Sequence, residues 1–273
     1  MSGATAGAAI ELRAVTKRFV SPSGRSFTAI HDLDLVIAPG EFTAVVGPTG
    51  CGKSTTLALI SGLEAPSAGT VAVFGEPVVA VGRDVGYVFQ RDAVFPWKSV
   101  LDNVAIGPRF RGMGTGEANA DARKWIARVG LEGFERYYPH QLSGGMRKRV
   151  ALAQTLINHP KILLMDEPFS ALDVMTRALM ENELLDLWAS TASSVVFVTH
   201  DLEEAIGLAD RVVVITAGPG TVKGTYRVDL PRPRNIAEIR FQPRFVELYE
   251  EIWKDLRDEV LVSYERTKTR VAA

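Results

Sequence analysis

Gly47-Pro48-Thr49-Gly50-Cys51-Gly52-Lys53-Ser54 fills every position of the pattern G-x-x-x-x-G-K-[ST]. The apolar run Phe42-Thr43-Ala44-Val45-Val46 precedes it and reads as a buried strand of a parallel sheet. Residues 54–60 (STTLALI) follow and read as the first turns of a helix that Gly62 ends. Strand, glycine loop and helix are the context this pattern needs. The glycines let successive backbone N–H groups turn toward one anion, and the helix N-terminus adds partial positive charge at the same point. Lys53 is expected to reach the β- and γ-phosphates of a nucleotide, and the Ser54 hydroxyl to take a place on Mg²⁺. A glycine-rich turn that binds nothing is the competing reading, and the complete match with both flanks argues against it.

Outward from the loop, three other predicted strands end on polar residues. Residues 84–89 (DVGYVF) end on Gln90, residues 162–167 (ILLMDE) on Asp166 and Glu167, and residues 194–199 (SVVFVT) on His200. Ligands of an open parallel sheet bind at the carboxyl ends of its strands, so these residues are expected at the same edge as the P-loop. Neighbouring side chains of a strand point to opposite faces, which predicts different tasks for Asp166 and Glu167. Ser143-Gly144-Gly145 opens a predicted helix over 146–158, with Ser143 as N-cap and bare N–H groups offered to an anion.

Ahead of the loop, residues 10–19 (IELRAVTKRF) alternate and predict an edge strand, and residues 28–37 a second strand. They imply an antiparallel β layer beside the parallel core. Phe19 ends the first strand, as either a core aromatic or a platform for an adenine ring. Beyond the loop come a strand at 70–74 and a turn at Gly75-Glu76-Pro77. No strand is evident from Arg91 to about Pro160, where Phe95-Pro96-Trp97, Gly107-Pro108 and residues 112–116 break the chain into short pieces before a helix at 117–129. This predicts a helical insertion in an α/β core. A short helix at 202–209, strands at 211–216 and 221–229, a linker at Leu230-Pro231-Arg232-Pro233-Arg234 and an amphipathic helix at 241–262 complete the chain. The helix places Phe245, Leu248, Tyr249, Ile252, Trp253 and Leu256 at helical spacing, a stripe that predicts core packing.

The 273 residues can bury a sizeable core, and 47% hydrophobic and 23% charged residues are ordinary for a globular protein. A net charge of -1 offers no global attraction to nucleic acid or anionic lipid. No apolar run approaches the roughly 20 residues that span a bilayer, and the first residues lack the basic and apolar regions of a signal peptide. The single cysteine, Cys51, excludes an internal disulfide and fits a reducing cytoplasm.

Together these residues resemble the ATP-binding cassette family, the ATPase subunits of ABC transporters, over residues 10–229. Gly47 to Ser54 is similar to the Walker A loop, residues 162–167 to Walker B with its catalytic glutamate, and Gln90 to the Q-loop glutamine. Leu142-Ser143-Gly144-Gly145-Met146 matches the family signature, Ser170-Ala171-Leu172-Asp173 the D-loop and His200 the switch histidine, while Phe19 stands where the family has its aromatic A-loop residue. The resemblance implies a P-loop NTPase core with a parallel sheet, an antiparallel β subdomain and a helical subdomain insertion. It divides the chain into core residues 1–90 and 161–229, a helical subdomain at 91–160 that carries the signature, and a C-terminal linker and helix at 230–273. Glu167, His200 and Gln90 are implied as catalytic. Phe19, Gly47, Pro48, Thr49, Gly50, Cys51, Gly52, Lys53, Ser54 and Thr55 are implied to bind ATP, and Ser54, Gln90 and Asp166 to bind Mg²⁺. Ser143, Gly144 and Gly145 of a second subunit would close over the γ-phosphate, so a homodimer is implied, with Asp173 at its interface.

Finer details resemble the nitrate/sulfonate/taurine importer ATPases: Phe95-Pro96-Trp97 after the Q-loop, Val100-Leu101-Asp102-Asn103-Val104, a signature running on into Met146-Arg147, and the Pro-Arg linker before the last helix. Lys148, Gln154-Thr155 and Asp173-Val174-Met175 depart from that pattern. This likeness implies a peripheral protein on the cytoplasmic face of the membrane that drives uptake of a small solute through integral-membrane permease subunits, served indirectly by a solute-binding protein and without nucleic acid. The alternative is a soluble ABC ATPase not coupled to transport. Chromosome-associated members carry a long coiled coil between Walker A and the signature, and residues 55–141 show no sustained heptads. Translation-associated members usually carry two cassettes, and this chain has one.

Overall fold

The computed structural model describes residues 7–22, 24–91 and 93–271. The chain forms two compact units, one from Met1–Gly82 with Ala192–Ala273 and one from Arg83–Thr191. The first unit opens with β1 (Ile10–Val20), β2 (Ser26–Ile37), β3 (Phe42–Val46), α1 (Lys53–Ser61), β4 (Ala68–Val73) and the two-residue β5 (Glu76–Pro77). The second holds β6 (Val85–Val88), α2 (Val100–Phe110), α3 (Thr115–Arg128), α4 (Gly144–Leu156), β7 (Ile162–Asp166) and α5 (Val174–Ala189). The chain then returns to the first unit through β8 (Ser194–Thr199), α6 (Leu202–Leu208), β9 (Arg211–Ile215), β10 (Val222–Arg227), α7 (Ile236–Ile239) and α8 (Pro243–Val271).

In the first unit β3 is buried at all five positions. It lies between two parallel neighbours: Val46 faces Thr199 of β8 on one side and Val214 of β9 on the other. β10 adds antiparallel to the outer side of β9. Such all-round burial explains the unbroken apolar sequence of β3, β8 and β9, and Phe42 and Phe197 meet in this core with ring centroids 6.0 Å apart. A separate antiparallel sheet runs in the order β2-β1-β4-β5. β1, predicted at an edge, is therefore interior, with β2 and β4 on its two sides. A half-buried strand alternates in the same way whether or not its second edge is paired, so the pattern could not distinguish the two. The predicted turn at residues 75–77 contributes β5, which pairs back onto β4 as a short hairpin.

The linker after β10 is pinned to α6. Arg234 is buried, and its guanidinium donates to the carbonyls of Ile206, Gly207, Ala209 and Leu230, at 2.7 Å for Ala209. Burial and the charge of Arg232 push Arg234 down to about 10. α8 runs beyond the predicted end at residue 262. Phe245, Leu248, Ile252 and Leu256 are buried, whereas Trp253 is 40% exposed and stacks on Tyr249 at the flank of the stripe. Polar contacts join α8 to β10: Tyr226 donates its hydroxyl to Asp255 (2.5 Å), and Lys223 pairs with Glu259 (2.9 Å). No helix among the described residues is long and apolar enough to cross a membrane.

In the second unit β6 and β7 pair in parallel, Val88 facing Met165. α2 was not foreseen, because Gly107-Pro108 reads as a break; both residues lie inside the helix. Gly107 meets a packing need there, since a Cβ on it would stand 2.4 Å from Asn158 Oδ1. Asn103 of α2 is fully buried and pins the stretch before the helix: its Oδ1 accepts from the Phe95 N–H (2.7 Å), and its Nδ2 donates to the Phe95, Lys98 and Ser99 carbonyls. The tilted Phe95–Trp97 pair is thereby held on a fixed loop. α5 was likewise not foreseen; it starts from the side chain of Asp173, which accepts from the Thr176 N–H.

Candidate functional site: a nucleotide loop and its strand-end residues

In the first unit the P-loop joins β3 to α1, and Gly52 stands at the helix entrance with φ 104°. That conformation suits glycine, and a Cβ there would also meet the Ala29 carbonyl oxygen at 2.9 Å. Lys53 is only 6% exposed, and its ammonium donates to the carbonyls of Gly47 (2.8 Å) and Pro48 (3.1 Å). A buried cation held by the loop's own carbonyls is matched to an anion that can displace them. Cys51 is 1% exposed. Burial pushes its thiol up, against the pull of Lys53.

His200 follows β8 and is exposed. Val46 and Thr199 are register partners on adjacent parallel strands, so Gly47 and His200 leave the sheet side by side at its carboxyl edge. The turn carrying His200 is braced from below. The buried Thr199 hydroxyl donates to Glu204 (2.5 Å) and accepts from the Asp201 N–H (3.0 Å), while Asp201 caps α6 by accepting from the N–H groups of Glu203 and Glu204. Phe19 is 38% exposed with the Lys17 ammonium over its ring, 4.9 Å from the centroid. This partial exposure removes the core-aromatic reading.

In the second unit β6 and β7 bring Gln90, Asp166 and Glu167 together. Gln90 Nε2 donates to Glu167 Oε2 at 3.3 Å. β7 ends at Asp166, and Glu167 has already left the strand with φ 42°. The two carboxylates do have different partners, but the reason is this left-handed turn and not strand alternation. Asp166 interacts with the Tyr87 hydroxyl, whose pKa is raised by burial first and by the Asp166 charge second. Ser170 reaches back to the Glu167 carbonyl (3.0 Å) and fixes the turn. Ser143 caps α4, accepting from the Met146 N–H, and Gly144 and Gly145 form its first turn. Lys148 on α4 is buried and donates to the Gln90 carbonyl at 2.7 Å. The sequence marked Lys148 only as a departure and passed over Tyr87; both act through partners distant in sequence, which a linear pattern does not display. A cavity of about 360 Å³ in this unit is lined by Tyr87, Phe89, Phe95, Ile106, Phe110 and Arg111, among others.

Residues 30–170 match the ABC transporter family. An uncharacterized ABC transporter ATP-binding protein of Methanocaldococcus jannaschii is 47% identical over 241 residues, 88% of this chain and 89% of the relative. The nitrate import ATP-binding protein NrtD of Synechocystis is 41% identical over 91% of this chain and 95% of its own length. The taurine import ATP-binding protein TauB of Jannaschia is 38% identical over 92% and 96%. A solved dimeric ATP-binding cassette in a post-hydrolysis state with ADP and phosphate superposes with a TM-score of 0.72 at 31% identity, covering 81% of this chain and all of that one. With its P-loop NTPase fold, its nucleotide loop and these relatives, the chain belongs to the ABC transporter family and is an ATP-binding cassette ATPase.

Proposed function

We propose that this ATPase is the energising subunit of an importer and works on a separate membrane permease to take up a small solute. The observation that carries the reading is the line Lys148–Gln90–Glu167 beside a largely apolar cavity at the end of β6. Phe89 lies in the wall of that cavity and Gln90 is the next residue. A permease segment seated there would shift the backbone whose carbonyl Lys148 holds and whose side chain touches Glu167. The exposed Trp97 and Phe110 offer it further apolar surface. Relatives named for nitrate and taurine import support a nitrate-, sulfonate- or taurine-like compound as the solute.

Each site residue has a chemical task in this reading. The P-loop from Gly47 to Thr55 cradles the phosphates, Lys53 exchanging its loop carbonyls for phosphate oxygens, and Phe19 offers its ring to the base. Glu167 accepts a proton from, or polarises, the attacking water. His200 contacts and supports the γ-phosphate, and Gln90 senses metal and water and couples them to the adjacent loop. Ser54, Asp166 and Gln90 would hold Mg²⁺. Hard oxygen donors, few in number, suit an ion that keeps waters and shares phosphate oxygens. When bound, Mg²⁺ neutralises charge developing on the transferred phosphoryl group. Ser143, Gly144 and Gly145 would serve the nucleotide of a second copy, which makes the working form a dimer at the cytoplasmic face of the membrane, fed through a solute-binding protein. The core at 1–90 and 161–229, the helical part at 91–160 and the C-terminal part at 230–273 are the division this reading uses.

Tagged Glu167→Gln protein, loaded with ATP and recovered from detergent-solubilised membranes, tests the proposal. Co-purification of one identified polytopic membrane protein is expected. Soluble partners alone, with a stable ATP-bound dimer, would leave the ATPase and remove the transport reading.

A further inference from the structure

The P-loop of the first unit is packed against a second loop, the turn between β9 and β10. A Cβ on Gly47 would stand 2.9 Å from the Ile215 carbonyl oxygen, and one on Gly220 only 2.1 Å from that of Cys51, so the two backbones touch where glycine alone fits. Gly220 donates its N–H to the Ala29 carbonyl (2.8 Å) and accepts from the His31 N–H (3.0 Å). The same Ala29 oxygen abuts Gly52. Thr216 closes the turn: its N–H donates to the Thr221 carbonyl (3.0 Å), and its hydroxyl accepts from the Thr221 N–H and donates to the Pro219 carbonyl, both at 3.1 Å.

Two oppositely charged residues of α8 grip this turn. Glu259 Oε2 accepts from the Ala217 N–H at 2.7 Å, and Arg266 donates to the carbonyls of Ala217 (3.0 Å) and Gly218. They are two helical turns apart and so share one face. The other oxygen of Glu259 is fixed by Lys223 of β10 at 2.9 Å. Among the described side chains Leu256 is the last buried apolar residue of α8, and Val260, Leu261 and Tyr264 beyond it are exposed. The final turns of the helix are thus tied to this unit by the polar grip and not by apolar burial. Glu259 is also close enough to the loop to add to the upward push on the Cys51 thiol.

We propose that Glu259 and Arg266 are positioning residues for ATP binding: they fix the 216–221 turn, and the turn fixes the backbone of the P-loop. This rests on the reading of that loop as the ATP site. Releasing the grip leaves the phosphate-binding N–H groups less ordered before ATP arrives, which weakens binding without touching the chemical step.

The test is titration of the full chain with a fluorescent ATP analogue, alongside steady-state ATPase assays and thermal melting. Glu259→Ala and Arg266→Ala are each expected to raise the Kd and KM about five- to tenfold with kcat unchanged within about twofold. Their double variant should be no worse than the weaker single one, because both act through one turn. Glu259→Gln keeps an oxygen for the Ala217 N–H and should restore Kd to within about twofold. Should Glu259→Ala fail to fold, Arg266→Ala, an exposed change at the helix end, decides alone. Unchanged Kd in the folded variants, or a loss confined to kcat, would overturn the proposal. Lys53→Ala separates the two readings: if it binds ATP like the native chain, the P-loop assignment falls and the brace with it; if it loses ATP while Arg266→Ala does not, only the brace falls.

Discussion

Glu167 stands one residue past the end of β7, with φ 42° and its carboxylate on the Gln90 amide. Replacing the acid by its amide keeps the shape and removes the proton acceptor, so Glu167→Gln is expected to retain ATP binding, lose turnover by at least about a hundredfold, and accumulate an ATP-bound dimer seen by size-exclusion chromatography. Native-like hydrolysis would sink the role given to Glu167. Lys148 acts one bond further out. Lys148→Ala leaves the Gln90 carbonyl without its ammonium, and ATPase activity is expected to fall about tenfold while Kd for ATP stays within about twofold. At this scale the motif residues were legible because their spacing states their chemistry. Lys148, Tyr87 and the Thr199–Glu204 brace were not, since each is defined by a partner that only folding supplies.

Among the elements, α6 shows how a linker can hold a functional turn. Its C-terminal carbonyls receive the buried guanidinium of Arg234, and its N-cap follows His200. Arg234→Ala would strand several buried carbonyls and is expected to cost roughly 2–4 kcal/mol in urea unfolding. α2 gives a pH prediction. Asp102, at its first turn, is held below its ordinary 3.8 by the Ser99 hydroxyl first and by Arg109 as well. The folded carboxyl ionises at lower pH than the unfolded one, so its contribution is present above 3.8 and is lost as pH falls through the lower folded value. Asp102→Asn should therefore lower stability by a constant amount in the neutral region, where the native contribution is full, and flatten the acid limb so that the two curves converge, measurable by thermal melts from pH 7 to 3. β3, β7, β8 and β9 were legible because strands buried on both faces carry unbroken apolar runs. The interior place of β1 and the existence of α2 were not. Pairing of a strand's second edge leaves no mark on its alternation, and Gly107-Pro108 reads locally as a break although the helix continues through both residues with the Asn158 amide packed against Gly107.

For the whole molecule, the P-loop NTPase class and the family were legible from the order of motifs along the chain, because each sits at the end of a predicted strand or the start of a predicted helix. The reach of α8 was not, since its last turns are held by Glu259 and Arg266 and not by the apolar stripe that announced the helix. A net charge of -1 also leaves association to specific surfaces and not to a long-range field. Cys51 has a further consequence at this scale. It is the single thiol of the chain and lies buried within the nucleotide loop, its ionisation suppressed by that burial. Reagents that need a thiolate can reach it only when the loop opens. The labelling rate of the native chain is thus an opening clock for that one loop, and in a dimer two such clocks run, one for each nucleotide.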